Sequence, residues 1–249
     1  MRATRYVTPL REGGSLPGLV EGDDDGLYVA KFRGAGQGLR ALIAEVIVGE
    51  LIRAAGRPIP ELVALELDPR LGAAEPDPEI QELIEASGGV NLGVDFLPGA
   101  LPYTAGDDVQ PDPDTAAEIV WLDALCTNVD RTARNPNMLR WHDRLWLIDH
   151  GAALYLAHGG LDPASQAARA FPMIAEHVLL TRAGSVVDAG ARLRSGRVTE
   201  DAIVRAIALV VPDWWEGVDA PDVYAEYLTR RLAWGGFEEE ADHARGGHG

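Results

Sequence analysis

Cysteine and lysine are nearly absent from this chain, basic residues are few, and long apolar runs are missing. With one cysteine, Cys126, among 249 residues, no internal disulfide framework can form, and a reducing, cytoplasmic setting is the expectation. No apolar run approaches the ~20 residues that cross a bilayer, and residues 1–14 contain no apolar stretch of the kind a secretory signal carries. Basic residues number 22 against 39 acidic ones, a formal net charge of −17. A surface that acidic repels nucleic-acid phosphates and disfavours direct DNA or RNA binding, and it disfavours a basic helix lying on a membrane. What remains is 47% apolar and 24% charged, enough to build the core of an ordinary globular unit with two lobes.

Of the 22 basic residues, 21 are arginine and one is lysine, Lys31. Codon preference accounts for most of that imbalance. It does not account for one lysine surviving inside an apolar, strand-like run, Leu27-Tyr28-Val29-Ala30-Lys31-Phe32. Lysine is a compact point charge on a thin stem and arginine a planar fork, so a site that needs the first rejects the second.

Along the chain, residues 16–22 and 27–32 are strand candidates joined by Asp23-Asp24-Asp25-Gly26, which is hairpin-turn chemistry rather than a cation site. After the glycine-rich joint 34–38, Leu42, Ile43, Val46, Ile47 and Leu51 recur at helical spacing to about residue 55, and Gly56 and Pro58 end the helix. Residues 62–67 and 91–97 are further strands, and 99–114, rich in Pro, Gly and Asp, form a seam. Thr115-Ala116-Ala117-Glu118 has the form of a capping box opening a helix with Cys126 on its apolar side. Residues 138–141 and 145–148 form a hairpin across His142-Asp143-Arg144. Helical patterns follow at 173–183, 200–211 and 221–235. The expected organisation is an α+β bilobal chain: a small β-rich amino lobe over 1–99, a larger helical carboxy lobe over 100–238, and a flexible polar tail over 239–249.

Asp130 and Asn135 lie five residues apart in a proline-stiffened loop, and the hairpin that follows returns Asp149 beside them. Singly, each reads best as a turn or cap residue. Together they are the set that phosphoryl transfer needs: an aspartate to take the acceptor hydroxyl's proton, and an asparagine oxygen with a second aspartate to hold Mg²⁺. A strand lysine, Lys31, paired with a glutamate on the next helix, Glu45, completes that set; Glu50 is the second choice for the glutamate.

The run Asp130-Arg131-Thr132-Ala133-Arg134-Asn135 is similar to the catalytic loop of the phosphatidylinositol 3-/4-kinase-like domains and of the HipA-like atypical kinases, and Leu147-Ile148-Asp149-His150-Gly151 to their metal-binding loop. The longer string from Asn128 to Asn137, taken with Leu145 to Gly151, resembles a short HipA-like branch without the additional amino-terminal subdomain. The resemblance covers roughly residues 13–155 and implies a protein-kinase-like fold, ATP and Mg²⁺. It implies Lys31 on the phosphates, Asp130 as catalytic aspartate, and Asn135 and Asp149 as metal ligands, with Asn137 assisting. Gly13, Gly14 and Ser15 would form the phosphate loop, Ser15 being a site for autophosphorylation, and Asp95, Phe96 and Leu97 the hinge facing adenine. The implied acceptor is a hydroxyl group on a protein, a lipid or a small molecule, and a protein partner is compatible with it. Thr132 stands where the lipid kinases commonly carry histidine.

Three alternatives compete. Gly36-Gln37-Gly38-Leu39-Arg40-Ala41 matches a dinucleotide-binding fingerprint, but no βαβ series follows it. A metal hydrolase on Asp130, Asp143 and Asp149 lacks histidines at ligand spacing, and His150 reads as a packing or hydrogen-bonding group. A pseudokinase, binding nucleotide without turnover, has the same sequence signature. Cys126 reads as a core thiol and Trp214-Trp215 as packing rather than an interface.

Overall fold

The structure, a computed structural model, describes residues 1–10, 16–36, 38–107 and 110–247. Its chain divides into two compact units, one of Met1–Ile43, Pro60–Gly99 and Val211–Trp214, the other of Ala44–Ile59, Ala100–Val210 and Trp215–Gly249. A single cut after residue 99 would place Ala44–Ile59 and Val211–Trp214 in the opposite units.

The first unit is an antiparallel sheet of β1 (Ala3–Pro9), β2 (Gly18–Gly22), β3 (Leu27–Lys31), β4 (Leu62–Leu67) and β5 (Gly89–Asp95), in the order β1-β2-β3-β5-β4. Between β2 and β3, Asp24 accepts from the amide of Gly26 at 3.0 Å and from the Tyr28 hydroxyl at 2.8 Å. That carboxylate closes a turn, as the sequence suggests. Alternation along β2 buries Gly18, Val20 and Gly22, and the buried face continues through Ala30, Phe32, Leu65 and Leu67. Helix α1 (Gly38–Ala54) begins with Gly38 at φ +61° and stops before Gly56 at φ +80°, conformations that glycine adopts without strain. Its residues divide between the two units after Ile43. Helix α2 (Pro78–Ala86), capped by Asp77, packs Ile80 and Ile84 into the sheet's core. Trp214 is fully buried in the same unit and donates its indole N–H to the carbonyl of Val90 at 2.9 Å, so it is a packing residue.

The second unit is built around α3 (Pro113–Leu125), whose residues from Ala116 to Leu125 are all buried. The capping box expected at Thr115 is displaced: Asp112 is the cap and accepts from the Thr115 amide at 2.9 Å, with Pro113 in the first turn. Proline suits that position because its missing N–H would have no helical partner there. At the other end Arg231, fully buried, donates to the carbonyls of Ala124 and Leu125, groups that a helix terminus otherwise leaves unpaired. A short sheet of β6 (Leu101–Pro102), β7 (Met138–Trp141) and β8 (Arg144–Leu147) follows, as do α4 (Pro163–Gln166), α5 (Val186–Arg194), α6 (Glu200–Ala208), α7 (Pro221–Trp234) and α8 (Gly236–Gly246). Cys126 is fully buried, and that burial pushes its thiol well above the usual range, which removes it as a nucleophile.

Two further expectations need correcting. Residues 173–183 are not one helix but two 3-10 turns, Pro172–Glu176 and Leu180–Arg182. His177 between them is extended, at φ −63° and ψ 128°, and its ring nitrogen takes the amide of Leu179. The polar tail expected from residue 239 is helical as far as Gly246: in α8 Phe237 and Ala241 are buried and Glu238 is hydrogen-bonded to Trp121 and Arg194. Tertiary contacts supply what its composition lacks.

Candidate active site

Asp130, Asn135 and Asn137 lie in the loop between α3 and β7, and Asp149 follows β8. The β7–β8 register sets Met138 opposite Leu147, and the Ile148 amide donates to the Asn137 carbonyl at 3.0 Å. The hairpin therefore brings the two loops together at its open end, with Asp143 at its tip. Asp130 Oδ2 accepts from Asn135 Nδ2 at 2.7 Å and from Asn137 Nδ2 at 3.1 Å. Asn137 Nδ2 also lies 3.5 Å from the Asp149 carbonyl. Asp130 and Asn135 are thus in direct contact, and Asn137 is the link between the aspartate loop and Asp149.

These contacts orient the amides. A carboxylate can only accept, so the nitrogen of Asn135 must face Asp130 and its oxygen must face away. Asn135 is exposed, which leaves that oxygen accessible. Both bonds to Asp130 fall on one oxygen, Oδ2, so the hydrogen bonds recorded leave Oδ1 to other partners. Asp149 has φ +57°, a left-handed conformation that aspartate enters more readily than most side-chain-bearing residues.

The surroundings here are a buried polar cluster. Asp123, on α3, is 1% exposed. Its Oδ2 accepts from Arg131 Nε at 2.6 Å and from His177 Nε2 at 2.9 Å, and its Oδ1 accepts from Asn128 Nδ2 at 2.9 Å. His177 Nδ1 takes the Leu179 amide, so the ring's proton sits on Nε2 and points at Asp123. Burial on its own raises the Asp123 carboxyl, but the charge of Arg131 and the hydrogen bonds from His177 and Arg131 outweigh it and hold the group below the usual carboxylate range. The Arg131 guanidinium also donates to the Asn137 carbonyl and meets His150 Nδ1 at 3.1 Å. Arginine only donates, so that histidine nitrogen is an acceptor, as the hydrogen-bonding reading of His150 expects. The His150 amide donates to Glu45 Oε2 at 2.7 Å, which ties α1 to the residue after Asp149. Sequence reasoning assigned Asp123 and His177 no role. The available signal was a carboxylate inside the wholly apolar stretch Leu122-Asp123-Ala124-Leu125, where an unpaired charge is rare.

Among the described residues, no three His, Cys, Asp or Glu side chains gather as a metal cluster, which weakens the hydrolase alternative. The oxygens of Asn135 and Asp149 are hard donors and suit Mg²⁺, which completes its shell with waters and substrate phosphates. In the first unit, Lys31 ends β3, the middle strand, half-buried and in register with Leu92. At the end of β5, the amides of Asp95 and Phe96 donate to the carbonyls of Glu61 and Leu27 at 2.8 and 2.9 Å. Burial, then Glu61 and Asp24, push the Asp95 carboxyl up. Gly13, Gly14 and Ser15 lie outside the described residues.

Comparison with known proteins establishes the family and the fold. A family model described as HipA-like kinase matches residues 4–182. No curated protein matches the chain. Among solved structures, a proinflammatory kinase of Helicobacter pylori, CtkA, is similar with a TM-score of 0.52 and 12% identity, over 99% of this chain and 97% of that one. The Golgi casein kinase with Mn/ADP bound is similar with a TM-score of 0.54 and 13% identity, over 98% of this chain and 74% of that one. A second structure of the Golgi casein kinase gives 0.55 and 13%, over 98% and 73%. At such identity the likeness concerns fold alone: a small antiparallel sheet with a larger helical part, as in these atypical kinases.

Proposed function

The chain belongs to the HipA-like kinase family, and from that premise we propose that it is an ATP- and Mg²⁺-dependent phosphotransferase acting on a hydroxyl acceptor. The observation that carries this reading is the Asp130–Asn135–Asn137 hydrogen-bond set beside Asp149, on the residues where the sequence is similar to kinase catalytic and metal loops. The Golgi casein kinase, similar in fold, is described with Mn/ADP bound, which supports a nucleotide with a divalent ion.

In this reading Asp130 takes the acceptor's proton on Oδ1, the oxygen its recorded asparagine bonds leave over, while the acceptor oxygen bonds to the γ-phosphorus. The bond from that phosphorus to the β–γ bridging oxygen breaks, and ADP departs. Asn135 and Asp149 would hold Mg²⁺, which would supply neutralisation of phosphate charge. Lys31 would bind the phosphates, and for Glu45, Gly13, Gly14 and Ser15 the proposal keeps the roles that the sequence resemblance implies. Adenine meets the backbone of 95–97. Two of the three amides there are committed to Glu61 and Leu27, so the Leu97 amide and the neighbouring carbonyls carry that contact. Catalysis then rests on positioning and charge neutralisation. A serine hydroxyl of a protein, a lipid head group and a small-molecule hydroxyl are all acceptors compatible with this reading.

Calorimetry with ADP and Mg²⁺ tests the nucleotide, and transfer of labelled γ-phosphate to the chain itself, to lysate proteins, to lipids and to small molecules tests the acceptor. Asp149→Asn should bind Mg²⁺-nucleotide weakly and lose turnover while keeping its melting temperature. Unchanged activity in that variant removes the metal-ligand role, and bound nucleotide with no transfer to any acceptor favours a pseudokinase.

A further inference from the structure

The buried carboxylate on α3 does more than stabilise its helix. Asp123 holds Asn128 through Oδ1 and Arg131 through Oδ2, and those residues stand two before and one after Asp130. Asn128, 4% exposed, accepts the Asp130 amide on its Oδ1 at 3.1 Å. Arg131, 1% exposed, holds the Asn137 carbonyl, and the Asn137 side chain donates to Asp130 Oδ2 at 3.1 Å. His177 completes the grip from outside the loop: its ring meets Asp123 at 2.9 Å, and the next residue, Val178, donates its amide to the Arg131 carbonyl at 3.1 Å. One carboxylate therefore reaches Asp130 by two routes, through its backbone amide and through its side-chain oxygen.

We propose that Asp123 is the positioning residue for Asp130, acting through Asn128 on its backbone and through Arg131 and Asn137 on its carboxylate. The inference rests on the reading of Asp130 as the group that receives the acceptor's proton. An aspartate in a surface loop, bonded to asparagines alone, would sample several rotamers. Tied by both routes, it is held where an acceptor oxygen can use it, and displacements near 1 Å are enough to cost about 100-fold in rate.

Asp123 itself is a poor place to start, because its loss strands a buried guanidinium and the variant risks not folding. Asn128 leaves the Asp123–Arg131 pair intact. In Asn128→Ala the Asp130 amide should lose its protection from hydrogen exchange while the amides of α3 keep theirs. Asn128→Ser should restore part of it, since a serine hydroxyl can make the same two-residue turn. Turnover should follow that order, with kcat falling about 100-fold in the alanine variant and KM for ATP moving less than about twofold, the signature of a contact used in the transition state. Unchanged exchange at Asp130 overturns the proposal. So does a parallel loss of kcat, nucleotide affinity and melting temperature that serine does not relieve. If the wild-type chain transfers no phosphate yet Asp130 exchange responds as described, the proposed function fails and the anchoring stands.

Discussion

Replacing Asp123 by asparagine is the sharpest test of the buried cluster. The change is isosteric, so no cavity forms, and the whole effect is electrostatic. In the wild type the carboxylate is 1% exposed and receives hydrogen bonds from Arg131, His177 and Asn128. The amide keeps one acceptor oxygen and turns the other position into a donor, which faces Asn128 in one orientation and Arg131 with His177 in the other, all of them donors toward this site. The guanidinium, with a side chain fully buried, is left with carbonyls and an imidazole nitrogen but no counter-charge. Breaking such a pair from one side costs about 3–5 kcal/mol, a third or more of the stability of many domains. For a chain of this size that is about 6–20 °C in melting temperature. Urea denaturation at pH 6 and a calorimetric scan measure both quantities. The loss also depends on pH in a fixed direction. The folded-state carboxyl is depressed below its ordinary 3.8, so the unfolded chain takes up its proton first as pH falls. The stabilisation is full above pH ~4 and drains away below it, and the gap between wild type and variant should close in that acid range. A melting temperature within about 2 °C of wild type, or a gap that stays constant from pH 6 to pH 3, refutes the argument. Asp123→Leu combined with Arg131→Met should recover part of the loss, because a buried ion pair often yields to apolar packing without net cost.

Lys31→Arg should reduce phosphotransfer severely although the charge is kept, since the planar fork cannot occupy the place of an ammonium; full activity would make the lone lysine an accident of codon use. Glu45→Gln should weaken its bond to the His150 amide by about 1 kcal/mol, the difference between a charged and a neutral acceptor, visible as faster exchange at that amide with β7 and β8 unaffected, and equal exchange would show that the charge does not hold the loop. A β-carbon on Gly190 would collide with the Glu238 carboxylate and the Trp121 indole. Gly190→Ala should therefore cost about 1–3 kcal/mol by denaturant titration, and a neutral result would mean that α8 moves aside freely.

How much of this was legible beforehand depends on how local the signal is. Alternation and turn chemistry mark β2, β3 and the Asp23–Gly26 turn because a half-buried strand and a tight turn are written within a few residues. The β7–β8 hairpin is legible for the same reason, and it brings Asp149 back beside Asn137. Asp130, Asn135 and Asp149 are singled out by spacing and by residue chemistry, and the structure brings Asp130 and Asn135 into direct contact. The helix start at Thr115 was misread because Asp112-Pro113 and Thr115–Glu118 are both valid helix openings, and local rules do not rank them. The order of α8 escaped notice because Glu238, Glu239 and Glu240 look solvated until Trp121 and Arg194 are seen beside Glu238.

Short-range signals in the chain mark β2, β3 and the β7–β8 hairpin, the lone lysine in a strand, and three oxygen-bearing side chains of the types that phosphoryl transfer uses, because each depends on periodicity, turn geometry or residue chemistry over a few positions. What holds them in place comes from contacts between distant parts of the chain. Asp123 and His177 are 54 residues apart and Glu45 and His150 are 105 apart, and no local pattern records such pairs. They exist because a buried charge must find its partners wherever the folded backbone brings them, and that requirement sets Asp130 in its place.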